Sequence, residues 1–223
     1  MLITIGVCQC NSPYYGRTCF YKACEFNCHG ETNGSCDRQT GTCFCKEGRS
    51  GTSCGQPSAC ESKEESWARS FDQKGWSTCP VGYAITGLRR SACEAIYCIE
   101  SAICANPCEI TNGGVTPLTL SNCYSENWYS TMDRKGWSKC TEPHFLAGLY
   151  RSTCDSLFCI EQALCCIVDG AIYQLCGVSS WVFTFAQAGV ARAPEGTFIT
   201  GFERGSGHNL SNIESISYCT IRR

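Results

Sequence analysis

The stretch WARSFDQKGWSTCPVGYAITGLRR, Trp67 to Arg90, is followed by two gap-free copies of its pattern. The copies are WYSTMDRKGWSKCTEPHFLAGLYR at Trp128 to Arg151 and WVFTFAQAGVARAPEGTFITGFER at Trp181 to Arg204. Each copy starts with a Trp and ends with a Gly-x-x-Arg unit, and each is followed by an Ile-Glu pair at Ile99, Ile160 and Ile213. A pattern repeated at this spacing predicts three similar structural units in this part of the chain.

Within each unit the residues have the chemistry of antiparallel β-strands. Short runs rich in Ile, Tyr, Phe, Thr and Trp alternate apolar with small or polar residues, and Gly, Asn or Pro interrupts them about every ten positions. No 3.6-residue apolar period is long enough for a substantial helix. We therefore predict a pseudo-threefold all-β body over residues 60–223, with repeats at about 60–108, 123–166 and 176–219, each too small to bury its apolar face alone.

The composition points to a secreted, disulfide-rich protein. Cys accounts for 23 of the 223 residues, a density typical of disulfide scaffolds outside the cell. A formal net charge of −2 offers no electrostatic footprint for nucleic acid. No apolar run is long enough to span a membrane, and residues 1–7 are too short for a signal peptide, so the start of the precursor is expected to be missing.

The cysteines from Cys24 to Cys54 have the spacing C-x3-C-x7-C-x6-C-x-C-x8-C. With Gly48 and Gly51 before the last cysteine, this segment resembles an EGF-like module of the tenascin type. The resemblance implies the pairs Cys24–Cys36, Cys28–Cys43 and Cys45–Cys54. No acidic cluster precedes Cys24, so we predict that the module binds no calcium.

The sequence VCQCNSPYYGRTC, which ends at Cys19, repeats the second half of the same module. By the same resemblance Cys10 pairs with Cys19, and Cys8 is left without a partner within the chain. The predicted organisation is a partial EGF-like segment with an N-terminal strand at 1–19, an EGF-like module at 20–59 and the three-repeat body at 60–223.

The pattern G-W-x-x-C-x-x-G, closed by an apolar strand that ends in Cys, resembles the repeat of vitelline membrane outer layer protein. That family implies a threefold β-prism. A weaker similarity links the repeated Trp, Cys and Gly pattern to dermatopontin, an extracellular-matrix protein. The predicted fold class is thus all-β and disulfide-rich, with partial and complete EGF-like modules ahead of a β-prism-like domain.

The third repeat lacks cysteines that the first two contain, and residues lost together are expected to have been bonded together. Ala193 stands opposite Cys79 and Cys140, while Tyr218 stands opposite Cys104 and Cys165. Co-absence therefore predicts the bridges Cys79–Cys104, Cys140–Cys165, Cys93–Cys98 and Cys154–Cys159. The cysteines that remain bracket each repeat and give Cys60–Cys108, Cys123–Cys166 and Cys176–Cys219.

An Arg and a Glu recur once in every repeat, as Arg90, Arg151 and Arg204 and as Glu100, Glu161 and Glu214. One interpretation is a sugar-binding role at three equivalent sites. The interpretation that we favour is a buried Arg–Glu ion pair that holds adjacent strands in register, because structural repeats retain what the fold needs.

Other residues give weaker indications. The three histidines occupy unrelated positions, so we predict no metal, no cofactor and no enzymatic activity. The five Trp recur at matching places, which favours core positions over a stacking platform for sugars. The sequons Asn33-Gly-Ser and Asn209-Leu-Ser predict N-glycosylation.

These features predict a secreted, non-enzymatic structural protein that forms part of an extracellular matrix, coat or fibre. The uncharged N-terminal run is β-prone and predicts the contact between successive copies, made by Leu2, Ile3, Thr4, Ile5, Val7 and Cys8. Head-to-tail contacts that do not close into rings grow into filaments, and Cys8 could make the polymer covalent. It could equally bond an upstream cysteine of a longer chain. The alternative function is a secreted carbohydrate-binding lectin of the β-prism type, with glycans as the partner.

Overall fold

The protein is described by a computed structural model that covers residues 14–15, 21–24, 28, 34–45, 49–50, 56–57, 61–111, 114–170 and 172–222. The chain forms two compact units. One contains Met1–Ala59 with Ile110–Thr116, and the other contains Cys60–Glu109 with Pro117–Arg223. Among the described residues the one α-helix, Tyr129–Met132, is a single turn, and no helix there is long and apolar enough to span a membrane. The prediction of an all-β fold is confirmed.

The first unit is built from two-stranded antiparallel ribbons. The pairs are β1 (Tyr14–Tyr15) with β2 (Tyr21–Lys22), β3 (Gly34–Asp37) with β4 (Thr42–Cys45), and β5 (Arg49–Ser50) with β6 (Gln56–Pro57). Ribbons this short are stabilised by covalent links more than by a core. Between described residues of this unit, disulfides join Cys24 to Cys36 and Cys28 to Cys43, and these are pairs that the EGF resemblance implies.

The hairpin between β3 and β4 turns on Asp37. Its carboxylate accepts a hydrogen bond from the Gln39 N–H at 2.9 Å and another from the Thr40 hydroxyl at 2.7 Å. Gly41 has φ of 75°, a conformation that suits glycine. The Thr40 and Gln39 hydrogen bonds hold the pKa of Asp37 below its ordinary value.

In the second unit each repeat contributes four strands in the same order. The first repeat contains β7 (Ser62–Ser66), β8 (Gly75–Thr78), β9 (Ala84–Arg90) and β10 (Ile99–Ala105). The hairpin of β11 (Cys108–Thr111) and β12 (Gly114–Pro117) follows in sequence. The second repeat contains β13 (Leu120–Asn127), β14 (Gly136–Lys139), β15 (Phe145–Arg151) and β16 (Ile160–Val168). The third contains β17 (Ile172–Ser180), β18 (Gly189–Arg192), β19 (Phe198–Arg204) and β20 (Ile213–Arg222).

The repeats exchange their short second strands in a closed cycle. Sheet 1 has the strand order β18-β9-β10-β7, sheet 2 has β13-β16-β15-β8, and sheet 3 has β14-β19-β20-β17. Each sheet therefore combines three strands of one repeat with one strand of another, and all the pairings are antiparallel. As a result no repeat completes its own sheet. The body is pseudo-threefold because the same exchange occurs once in each of the three sheets.

The repeated Gly lies where the exchanged strand approaches. A Cβ atom at Gly87 would lie 2.6 Å from the carbonyl oxygen of Ala191 on β18, and one at Gly148 would lie 2.9 Å from that of Ser77 on β8. A Cβ at Gly201 would likewise collide with β14 at Ser138. The Gly-x-x-Arg unit therefore preserves the space that a strand from another repeat needs.

The main core lies between the three sheets, whose central strands β9, β15 and β19 contact one another. The entering Trp of each repeat is buried there, at Trp67, Trp128 and Trp181. Short 3-10 turns follow β9, β15 and β19. They add Ile96, Leu157 and Leu210 to the core, all with no exposed surface. Burying large side chains of this kind contributes about 1.5–3 kcal/mol each.

Disulfides supplement the core of the body. Those that join two described residues are Cys79–Cys104, Cys140–Cys165, Cys93–Cys98, Cys154–Cys159, Cys123–Cys166 and Cys176–Cys219. All are pairs predicted from co-absence or from the bracketing positions. Cys45 and Cys108 are also disulfide-bonded, whereas their predicted partners Cys54 and Cys60 lie outside the described residues, as do Cys8, Cys10 and Cys19.

Candidate functional site

The three repeated arginines lie on the inner face of the body and link the repeats. Arg151 is 3% exposed, and its Nη1 donates to the carbonyl oxygen of Phe71 in the first repeat at 2.6 Å. Arg90 donates in the same way to Phe185 of the third repeat at 2.8 Å, and Arg204 to Met132 of the second. Each Arg thus binds the turn that precedes the strand which another repeat contributes to the sheet of that Arg.

The acid that pairs with each Arg is not the predicted one. Arg90 forms an ion pair with Glu94 at 2.9 Å, and Arg151 with Asp155 at 2.7 Å. Arg204 has neither acid but contacts Nδ1 of His208 at 2.7 Å. The predicted pairs Arg90–Glu100, Arg151–Glu161 and Arg204–Glu214 are therefore wrong.

The reason for the error is a β-bulge beside the repeated Glu. The register between β9 and β10 shifts between Ile99 and Ser101, so Glu100 is an extra residue in the ladder, and the other two sheets shift at the equivalent place. Ile99 is the residue that pairs with Arg90 across the two strands. Glu100 instead accepts a hydrogen bond from the N–H of Trp67 through its backbone carbonyl at 2.8 Å. The same backbone bond recurs in the other repeats, at Trp128 with Glu161 and Trp181 with Glu214.

The loops that follow each Arg form a closed ring of hydrogen bonds at one end of the body. Each bond joins a backbone N–H to a backbone carbonyl oxygen at 2.9 Å. The N–H of Ile96 donates to the carbonyl of Asp155, that of Leu157 to the carbonyl of His208, and that of Leu210 to the carbonyl of Glu94. The carboxylate of Glu94 also accepts a hydrogen bond from the N–H of Ser211 at 3.0 Å. Although burial raises the pKa of Glu94, the hydrogen bonds from Arg90 and Ser211 lower it on balance.

The third loop replaces a disulfide with an amide. Gly207 and Asn212 stand where the other repeats have their short cystine, and the Asn212 side chain occupies the space over Gly207. Its Oδ1 accepts the N–H of Asn209 at 3.2 Å. Asn209 is exposed, as a glycosylated residue must be. The other sequon residue, Asn33, lies outside the described residues.

The outer faces of the sheets carry a row of side chains that the sequence analysis did not identify. In sheet 2 the register places Asn127 beside Gln162, Gln162 beside Tyr150, and Tyr150 beside Trp76. An open groove of about 420 Å³ adjoins this row and is lined by Ser125, Asn127, Tyr129, Glu161 and Gln162. The sequence signal was the departure from the repeat pattern at Tyr150, which corresponds to Arg89 and Glu203, whereas Trp76 recurs as Trp137 and is replaced by Val190 only in the third repeat.

The expectation that all five Trp belong to the core is wrong for two of them. Trp76 is 38% exposed and Trp137 is half-buried, each on an exchanged strand. Lys139 places its Nζ 4.1 Å from the centroid of the Trp137 ring, whereas the Trp76 ring contacts Tyr150. The sequence pattern recorded their recurrence but not the face of the strand on which they lie.

Two clusters of chemically reactive residue types have their groups occupied within the protein. The sulfur atoms of Cys24, Cys28 and Cys36 lie within 4.8 Å of one another, but all three belong to disulfides and offer no thiolate to a metal. In the second repeat Glu126 accepts hydrogen bonds from the hydroxyls of Tyr124 and Thr141, so this carboxylate is occupied by its neighbours.

The edge strands of the sheets differ in chemistry. The outer edge of sheet 1, β7, carries three charged residues in the sequence SKEES. The outer edge of sheet 3, β17, has the uncharged sequence IYQLCGVSS, with Leu175 72% and Val178 58% exposed. Within the described part of the chain, β17 pairs on one side only, with β20. The N-terminal residues predicted to bind a neighbouring copy, Leu2 to Cys8, lie outside the described residues.

Comparison with known proteins gives one limited similarity. The chain is 40% identical over 52 residues to the human laminin subunit alpha-1, a segment that covers 21% of this chain and 2% of the laminin chain. No protein-family profile and no solved structure matches the chain, so the similarity to the vitelline-type β-prism has no support from these comparisons. The laminin match is compatible with EGF-like modules.

Proposed function

We propose that the chain is a secreted, non-enzymatic subunit of an extracellular matrix, coat or fibre. The observation that carries this proposal is the way the body is closed, because each sheet needs a strand from another repeat and disulfides fix the strands within it. Such a body resists local opening and needs only a modest core, which suits a load-bearing part outside the cell.

We propose further that successive copies join head-to-tail, with the N-terminal segment of one copy adding as a strand to β17 of the next. Leu2, Ile3 and Ile5 supply apolar β-prone residues, and β17 supplies an uncharged edge with Leu175 and Val178 exposed. Natural proteins protect free edges with charge, as β7 does, so an uncharged nine-residue strand that pairs on one side only within the described residues favours strand addition. Cys8 would then lie at the junction and could bond across it.

Sedimentation velocity and non-reducing electrophoresis of native protein test this assembly. We expect a ladder of species that collapses to one band on reduction, and smaller species after deletion of residues 1–7 or in the double variant Leu175→Lys, Val178→Lys. Ser62→Lys, on the already charged β7 edge, is the matched control and should leave assembly unchanged. Monomers with a free Cys8 thiol at all concentrations would refute the head-to-tail arrangement.

Carbohydrate binding is the second candidate function. The specific observation in its favour is the groove of about 420 Å³ beside the outer row of sheet 2, which is lined by amide, hydroxyl and carboxylate groups. The repeated arginines do not support it, because Arg90, Arg151 and Arg204 are at most 3% exposed. A glycan array, with competition by free sugar, tests this candidate.

A further inference from the structure

The outer row of sheet 2 brings two aromatic rings and two amides onto one exposed surface. Strand alternation places Trp76, Tyr150, Gln162 and Asn127 outward, since their neighbours Ser77, Leu149 and Ala163 are buried. Directly opposed residues on adjacent strands have Cβ atoms about 4.5–5.5 Å apart, so the row is continuous across the sheet.

We propose that this surface is a binding site for a neutral oligosaccharide, with one site per chain. The inference rests on the carbohydrate-binding candidate and not on the assembly. Trp76 and Tyr150 stack on a sugar ring, and Gln162 and Asn127 hydrogen-bond its hydroxyls.

The two rings are arranged to receive a flat ligand. The centroids of Trp76 and Tyr150 are 5.4 Å apart and their planes are inclined by 57°, so the rings form an open angle instead of covering each other. Trp76 is 38% exposed, so part of the indole is accessible to a ligand. A pyranose presents C–H groups on one face and hydroxyls around its rim, and the aromatic pair matches that face.

The adjoining groove supplies the polar contacts. Its volume of about 420 Å³ is within the range of small-ligand sites, and its walls offer the side chains of Ser125, Asn127, Glu161 and Gln162. Gln162 belongs both to the row and to the groove, and its Oε1 accepts the Ser125 hydroxyl at 2.5 Å. Glu161 is the one charged residue of the lining, so a sulfated or sialylated glycan would be repelled and a neutral glycan is favoured.

The other two sheets show the same row without the same chemistry. In sheet 1 the positions of Trp76 and Tyr150 are held by Val190 and Arg89, and Arg89 forms an ion pair with Glu64 at 2.5 Å. In sheet 3 Trp137 lies beside Glu203, and Lys139 covers its ring. Neither row presents a pair of free aromatic faces, which limits the site to sheet 2.

The test is an array of neutral glucose, galactose, mannose and N-acetylglucosamine oligosaccharides, with sulfated and sialylated versions alongside, followed by calorimetric titration of the best-bound neutral oligosaccharide. We expect one site per chain. Trp76→Ala and Gln162→Ala should each weaken binding by about tenfold or more, as truncation of a central contact does. Trp137→Ala is the matched control on sheet 3 and should change the affinity less than about twofold.

Near-ultraviolet circular dichroism and the pattern of non-reduced peptides establish that each variant retains its fold and its disulfides. Binding that survives Trp76→Ala would overturn this site while leaving the carbohydrate-binding candidate in place. A preference for sulfated or sialylated glycans, or three sites per chain, would also overturn it. Failure to bind any oligosaccharide on the array would overturn the site and the candidate function together, without affecting the assembly proposal.

Discussion

Replacing Arg151 with Met tests whether the buried arginines link the repeats through backbone carbonyls. Met keeps most of the side-chain volume but removes every hydrogen bond of the guanidinium. Those bonds run to the carbonyl oxygens of Phe71 at 2.6 Å, Cys154 at 3.0 Å and Ser152 at 3.3 Å, and to the carboxylate of Asp155 at 2.7 Å. The carbonyl of Phe71 is buried, so it loses its partner without gaining water.

The expected cost follows from these contacts. Leaving one buried carbonyl unsatisfied costs about 1–3 kcal/mol, and the two partly buried carbonyls add less because water can reach them. We expect Arg151→Met to lower the free energy of unfolding by about 2–4 kcal/mol. Asp155 is 59% exposed, so Asp155→Asn should cost only about 0–1 kcal/mol.

Urea unfolding with the disulfides intact measures both variants. With a slope of about 1–3 kcal/mol per M, the midpoint of Arg151→Met should fall by about 1–2 M, and that of Asp155→Asn should hardly move. Arg69→Met, which removes an exposed Arg of the first repeat, is the matched control. Equal losses in Arg151→Met and Asp155→Asn would show that the ion pair, and not the carbonyl bridge, stabilises the body. A midpoint shift in Arg151→Met no larger than in Arg69→Met would refute the bridging role altogether.

Three further predictions follow from the described contacts. Gly148→Ala should lower stability by about 1–3 kcal/mol, because the new methyl group would press on the exchanged strand; an unchanged urea midpoint would contradict this. The hydrogen bonds from Arg89 and Ser101 lower the pKa of Glu64 from 4.5 to about 2. Because this folded-state pKa is depressed, the stabilisation it provides is complete above 4.5 and lost as the pH falls through about 2, and an NMR titration should show the pKa return toward 4.5 in Arg89→Met. Asn209 should carry an N-glycan in protein from a eukaryotic secretory pathway, detectable as a mass change on deglycosylation, and an unmodified Asn209 would indicate that a partner covers the loop.

The sequence alone was sufficient for the repeats, the β-class and most of the bonded cysteines. Strand chemistry is visible as local alternation, and disulfides are pairwise, so the absence of Cys79 and Cys104 equivalents from the third repeat identified them as partners. The Gly-x-x-Arg unit was visible for the same reason. Its two functions were not visible in the sequence. They are to leave space for an exchanged strand at Gly148 and to bridge to another repeat at Arg151.

Only the tertiary structure decided which repeat completes which sheet, which side chain faces each Arg, and which side chains share the outer row. A sequence records neighbours along the chain, whereas the partner of β8 depends on how three sheets pack around one core. One extra bulge residue at Glu161 changes which side chains face the core and the solvent, and no periodic pattern contains that shift. Trp76 and Tyr150 are 74 positions apart in the chain (150 − 76 = 74), and they meet only because a strand of the first repeat joins the sheet of the second.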